Sequence, residues 1–176
     1  MTALIAMTDQ IPVLDTARLT LRAPKLADLA TLTAFYATSR SEMVGGPEAP
    51  DEVFAQLAAR IGHWALRGYG LWHIDDRKTG DFLGWVGILN PVGWDEPELG
   101  WGLFAHAEGR GIAFEAASAA RAFAAAHQGV DAPISYIRAD NLRSLALARR
   151  LGAVHERDGA VMDTPCQVWR HPSEAA

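Results

Sequence analysis

An α+β fold, with a central sheet carrying helices on both faces, is what the sequence predicts, and three observations carry the prediction. Short runs with the alternation or apolar richness of strands occur seven times, at 18–22, 70–75, 82–89, 98–103, 134–138, 153–157 and 168–170. Four stretches with helical spacing lie among them, and the resulting order βααβββαβαββ lacks the strict strand-helix alternation of a doubly wound sheet. No internal repeat, low-complexity tract or linker long enough to divide the chain interrupts that order.

Arg18-Leu19-Thr20-Leu21-Arg22 alternates polar and apolar residues and is closed by Pro24, as a half-buried strand would be. Asp28 starts a helical stretch through Leu29, Leu32 and Phe35-Tyr36, and Met43-Val44-Gly45-Gly46-Pro47 reads as a flexible segment after it. Pro50-Asp51-Glu52 opens a second helix, since early negative charge suits the positive end of the helix dipole. Phe54, Leu57, Ala58, Ile61 and Ala65 supply its apolar spacing, and Gly68 lies just past its end. The polar run Asp76 to Gly80 suits a hairpin connection between the next two strands.

Pro91 to Asp95 reads as a loop, and Glu98-Leu99-Gly100-Trp101-Gly102-Leu103 as a strand whose glycines mark a bulge or a close backbone approach. An alanine-rich helix is expected from Gly109 to about Gln128. Ile134 to Arg138 follows as a strand, and Leu142 to Leu151 as a short helix stopped by Gly152. Two closing strands are expected around a turn at Asp158-Gly159. The six tryptophans, at 64, 72, 85, 94, 101 and 169, suit core packing, while Trp94 and Trp101 flank Glu98 and could line a pocket or stack on a cation.

Composition bounds what such a fold can do. The 176 residues suit one domain spanning 1–176, and 49% hydrophobic with 21% charged residues is enough to build a core. A net charge of −5 disfavours nucleic-acid binding, which draws on Lys and Arg, and fits a cationic or neutral substrate better. Residues 1–12 are expected to form a loose N-terminal segment. The apolar opening Met1 to Met7 has no basic flank and is too short for a signal or a membrane span, so a cytoplasmic protein is expected. Cys166 is the single cysteine, which excludes an intrachain disulfide and a cysteine-based zinc cage. His63, His73 and His106 lack metal-site spacing, and no metal is implied.

Chemistry is suggested first at Glu108-Gly109-Arg110-Gly111-Ile112-Ala113, between a strand and the long helix. The first N–H groups of a helix have no intrahelical partner, and with the dipole they form an anion site. Two glycines let the chain approach a diphosphate without a Cβ in the way, and Arg110 can add charge. The plainer reading is a tight turn. The run matches neither the Walker pattern nor the dinucleotide pattern. The second segment is Asn141-Leu142-Arg143-Ser144 with its helix ending in Leu151-Gly152-Ala153, where Asn141 could equally be a simple helix cap.

In order, these segments resemble the Gcn5-related N-acetyltransferases (GNAT superfamily). Those enzymes carry Gln/Arg-x-x-Gly-x-Gly/Ala at the first junction, matched here at Gly111 and Ala113 with Glu108 in the first place, and Asn-x-x-Ser with a Leu-Gly-Ala ending at the second. Leu14 to Pro24, followed by Asp28, and Glu98-Leu99-Gly100-Trp101 resemble the branch of the ribosomal-protein N-terminal acetyltransferases. The resemblance implies a mostly antiparallel sheet splayed at the coenzyme site. It also implies acetyl-CoA as cosubstrate and transfer of its acetyl group to a primary amine, of a protein N-terminus or a small molecule. The coenzyme would be held by Leu103, Phe104, Ala105, Gly109, Arg110, Gly111, Ile112, Ala113, Asn141 and Ser144. Glu108 is expected to face solvent.

Amine acetylation needs a group to take the ammonium proton, and Glu98, facing the cleft in that arrangement, is the leading candidate. A backbone N–H around Leu103 to Ala105 would stabilise the oxyanion. Many relatives protonate the leaving thiolate with a tyrosine where this chain has Ala148, which leaves Ser144 as the candidate. No membrane partner is expected, and two copies of the chain could pair. The rival from another class is a non-catalytic acyl-CoA sensor, motivated by Glu108 and Ala148.

Overall fold

The computed structural model describes residues 7–174. Its elements are β1 (Leu14–Asp15), β2 (Leu19–Arg22), α1 (Leu29–Tyr36), α2 (Pro50–Arg67), β3 (Leu71–Asp76), β4 (Phe82–Leu89), β5 (Glu98–Leu103), α3 (Ile112–His127), β6 (Ile134–Ile137), α4 (Leu142–Arg150), β7 (Val154–Val161) and β8 (Thr164–Arg170). The strands form one sheet in the order β1-β2-β3-β4-β5-β6-β8-β7, antiparallel except where β5 meets β6. The expected mixed architecture is therefore present, with the two-residue β1 added at the edge.

Alternation along the strands places apolar side chains on both faces of the sheet, and a third cluster of Ile137, Leu145, Ala148, Ala153 and Trp169 lies under α4. Trp72, Ile74, Val86, Ile88 and Leu99 pack against α3, whose Ala116, Ala117, Ala120 and Ala124 are fully buried. Such small side chains let the helix lie close to the sheet. On the opposite face Leu71, Trp85 and Phe104 meet Leu32 and Tyr36 of α1 and Val53 and Leu57 of α2.

Helix α2 starts at Pro50, with Glu52 Oε2 accepting from Ala49 N at 2.7 Å, and ends where Gly68 takes the left-handed conformation. Its buried stripe is Val53, Leu57, Arg60 and Trp64, which corrects the expected apolar face: Phe54 is 52% exposed. The stripe was hidden in the sequence because an arginine occupies one of its inward positions. Helix α1 is tied to the sheet by Arg22, which bonds both oxygens of Asp28 at 2.8 and 2.9 Å and both of Asp75.

Three further expectations are corrected. Residues 1–6 of the expected loose segment lie outside the described residues, and its last two residues are tied to the core, with Ile11 buried and Trp72 Nε1 donating to Pro12 O at 2.7 Å, while Asp9 and Gln10 are exposed. The closing turn falls at Met162-Asp163, both with positive φ, while Gly159 lies within β7 opposite Cys166. Helix α3 begins at Ile112, because Gly109 and Gly111 both take positive φ and form the loop before it.

Candidate active site

The site is built where β5 and β6 part. The parallel pair makes a single rung, Glu98 opposite Ile134, with Ile134 N donating to Pro97 O at 3.1 Å. A continuing parallel ladder would next join Tyr136 N to Leu99 O. Instead Tyr136 N donates to Glu98 Oε1 at 3.0 Å, and Leu99 O accepts from Ser135 Oγ at 2.6 Å. Both backbone groups released by the splay are thus satisfied by side chains, which is what lets two buried strands diverge without orphaned polar groups.

Below the splay, His171 Nε2 lies 2.9 Å from Ser135 Oγ and its Nδ1 faces Arg121 Nη1 at 3.5 Å. With Ser135 donating to Leu99 O, His171 Nε2–H is the donor to the serine oxygen, so Ser135 is a strap and not an activated nucleophile. Burial, reinforced by Arg121 and Arg170, pushes the His171 pKa down to about 4 and keeps the ring neutral.

Glu98 is 8% exposed and accepts one hydrogen bond. Burial pushes its carboxyl up to about 7, against the opposing effect of the Tyr136 N–H. It lines a cavity of about 670 Å³ that Trp101, Tyr136, Asn141 and Ser144 also line, with Arg60 and Trp85 on the α2 side. Trp94 and Cys166 reach the same cavity. The structure therefore brings together Glu98, Asn141 and Ser144. Asn141 Oδ1 caps Ser144 N at 3.2 Å, and Ser144 Oγ accepts from Trp101 Nε1 at 3.3 Å across the splay, leaving the serine O–H free to donate.

The glycine loop lies outside that cavity wall, at the tip of α3. Its first helical bond is Glu115 N to Gly111 O at 3.2 Å, so the N–H groups of Ile112, Ala113 and Phe114 precede the intrahelical ladder. Gly109 and Gly111 stand at φ +72° and +75°, which favours glycine. Arg18 braces the loop by donating to Arg110 O and pairing with Glu115 at 2.7 Å. Amides without intrahelical partners at a helix tip fit a diphosphate. Arg110 is turned toward Asp76, 3.4 Å away. Glu108 does not simply face solvent: its two oxygens take Arg40 at 2.5 Å and Arg143, in the first turn of α4, at 2.6 Å.

Of the expected oxyanion segment, Phe104 is corrected. Its N–H donates to Leu83 O at 3.0 Å and its ring is buried in the core beneath α1 and α2. Alternation along an antiparallel pair then turns the N–H groups of Leu103 and Trp101 toward the open side of β5, while Ala105 opens a 3-10 turn. Residues missed in the sequence are Tyr36, Arg60 and Tyr136, all lining the cavity. The signal for Arg60 was its place on the Val53-Leu57-Trp64 stripe. Among the described residues no helix is long and apolar enough to cross a membrane.

Comparison with known proteins identifies the family. The profile of the family described as acetyltransferase (GNAT) domain matches residues 18–154. An acetyltransferase from Agrobacterium tumefaciens str. C58 is 35% identical, with a TM-score of 0.86 over 92% of this chain and 94% of that one. Two more distant structures, each 17% identical with a TM-score of 0.73, share the fold. One is the Salmonella typhimurium acetyl transferase that modifies the N-terminal serine of 50S ribosomal subunit protein L7/L12, over 90% of this chain and 96% of that one. The other is RimL, the ribosomal L7/L12 alpha-N-protein acetyltransferase, in complex with coenzyme A, over 94% and 100%. By the family match over most of its length and the 35% identical acetyltransferase, the chain belongs to the GNAT acetyltransferases and is an acyltransferase that uses acetyl-CoA.

Proposed function

We propose that the chain, working as one catalytic unit, moves the acetyl group of acetyl-CoA to a primary amine by direct attack in the cavity beneath the splay. The observation that carries the reading is Glu98: a carboxylate nearly hidden from water, poised near neutrality, in the cavity that also holds Asn141 and Ser144. The amides of Ile112 and Ala113 and the glycines 109 and 111 would bind the diphosphate, and the pantetheine arm would follow the open edge of β5. Asn141 Nδ2, left free by the cap through Oδ1, adds a donor at the far wall.

In this reading the ammonium of the acceptor gives its proton to Glu98, directly or through water, and the neutral amine attacks the thioester carbon. The N–H of Leu103 or Trp101 faces the developing oxyanion. As the carbon–sulfur bond breaks, the thiolate takes a proton from the Ser144 hydroxyl or from water, that group recovers a proton from the charged nitrogen of the tetrahedral adduct through water, and the neutral amide leaves. No cysteine nucleophile is needed, so Cys166 stays a cavity wall. The acceptor is a protein N-terminus, as for the ribosomal-protein neighbours, or a small amine. A thiol-release assay over an amine panel, with coenzyme affinity measured separately, tests the reading. Amine-dependent release in the wild type, lost in Glu98→Gln at unchanged acetyl-CoA affinity, is expected; coenzyme binding without turnover of any amine would sink it.

A further inference from the structure

Arg60 is the buried cation that the transfer chemistry leaves without a task. It is 7% exposed, inside α2, and its guanidinium meets only neutral groups: His73 Nε2 at 3.2 Å from Nη1, Tyr36 Oη at 3.2 Å from Nη2, and the Trp85 ring 4.6 Å from Cζ. His73 is neutral because its Nδ1–H is spent on Asp28 at 2.6 Å while Nε2 accepts from Arg60. Among the described residues no carboxylate pairs with Arg60 within 4.0 Å. Arg22, the other arginine set into this face, is clasped by both Asp28 and Asp75. A buried guanidinium without a counter-ion is costly, and the structure keeps this one.

Its surroundings point outward to the cavity. Arg60, Tyr36, Trp85 and Gln56 form one wall of the space whose other wall carries Glu98. The Tyr36 hydroxyl, accepting from Arg60, keeps its own proton to donate. Glu48 interacts with Arg60 only electrostatically; one of its oxygens is held by Gln56 and Oε2 is buried without a partner, in a carboxyl that burial raises. An anionic group entering here would find a guanidinium in fork geometry and a phenol donor, the pair that suits a carboxylate.

Resting on the acetyl-transfer reading above, we infer that the acceptor is a zwitterion: a small amine that also bears a carboxylate, held by Arg60 and Tyr36 while its ammonium faces Glu98. One cavity with a buried, unpaired cation on one wall and a buried carboxylate on the other is complementary to such a molecule, whose charges sum to zero; the other charged residues lining it are the exposed Glu42 and the half-buried Arg138, which is paired with Asp140. A polypeptide N-terminus fits the arrangement less well, because its nearest carboxyl is tied up as an amide.

The test is thiol release with matched pairs, each an amino acid and its own carboxamide, in the wild type, Arg60→Gln and Tyr36→Phe. Folding of each variant is checked by the rise in melting temperature with acetyl-CoA. In the wild type the free acid is expected to exceed the carboxamide in kcat/KM by about tenfold or more. Arg60→Gln should erase that ratio, chiefly through KM, at unchanged acetyl-CoA affinity. Should Arg60→Gln fail to fold, Tyr36→Phe, which keeps the ring and its packing, should lower the ratio severalfold. Equal turnover of acid and carboxamide by the wild type overturns the inference while leaving acetyl transfer intact, as does a ratio that survives either folded variant. Failure to turn over any amine overturns both.

Discussion

Glu98 Oε1 accepts a hydrogen bond from Tyr136 N at 3.0 Å at the one place where the sheet would otherwise pair Tyr136 with Leu99. The same carboxyl therefore helps hold the two strands apart and faces the space that the parting creates. Ser135 does the complementary service for Leu99 O. The cleft is a consequence of two side chains standing in for one missing rung.

For Glu98→Gln the acetylation rate is expected to fall about a hundredfold or more, in the range typical of a lost general base. The amide keeps the Tyr136 bond through its carbonyl oxygen, so acetyl-CoA affinity and the splay should survive. In the wild type kcat/KM should rise with pH through an inflection near 7, where the buried carboxyl ionises. Since the base form is the active one, activity is lost as pH falls, and this inflection should vanish in the variant. A pH profile with the same inflection in both proteins would assign it to another group.

Ser135→Ala removes the strap below the cleft. Leu99 O and His171 Nε2–H are then left buried without their partner, because Ser135 and His171 are each 1% exposed. A loss of about 2 kcal/mol in unfolding free energy is expected by urea denaturation. Replacement by Thr, which retains the hydroxyl, should restore most of it.

The helix-tip loop and the Asn141 cap were legible in the sequence because they are local: strand, glycines with positive φ, helix, then Asn three residues before Ser. Seven of the eight strands followed from the same short-range patterns, while the two-residue β1 and the order of strands in the sheet did not. Arg60 was not legible, since an arginine on an apolar stripe reads as polar until Tyr36, His73 and Trp85 arrive from other elements to receive it. Ser135 gave no sign because its partners, Leu99 and His171, are distant in sequence. Asp158-Gly159 is a good turn dipeptide, yet the register of β7 on β8 sets the turn at Met162-Asp163. Phe104 was misassigned because strand alternation, which decides where an N–H points, is fixed only by the partner strand.

Glu108→Gln should tighten acetyl-CoA binding. Glu108 holds Arg40 and Arg143 near the tip that would receive the diphosphate, and removing its charge both frees two guanidinium groups and relieves repulsion. The groups are partly exposed, so each pair is worth only about 0–1 kcal/mol and the gain should be about threefold in Kd. Calorimetry at low and high salt should show the gain shrinking as salt screens it. Weaker binding by the variant would mean that the ion pairs shape the loop.

Acid stability separates the buried groups by sign. His73, neutralised by burial against its bond to Asp28, and His171 both ionise near 4 in the folded chain, below the ordinary value of 6.5. Between those values the unfolded chain binds more protons, so these two residues make stability rise with pH, and it is lost as pH falls from about 6.5 to about 4. Glu98 acts oppositely: its folded pKa near 7 lies above the ordinary 4.5, so the folded chain binds more protons there and stability falls as pH rises through that window. Two histidines against one glutamate leave a net rise, at most about 1.4 kcal/mol per pH unit from the proton difference. In Glu98→Gln the opposing contribution is gone, so the curve should steepen: the variant and wild type should differ least near pH 4.5, and the variant should gain up to roughly 3 kcal/mol above pH 7. Urea unfolding across that range reads the difference directly, and parallel curves would show that Glu98 ionises in the folded chain as it does in water.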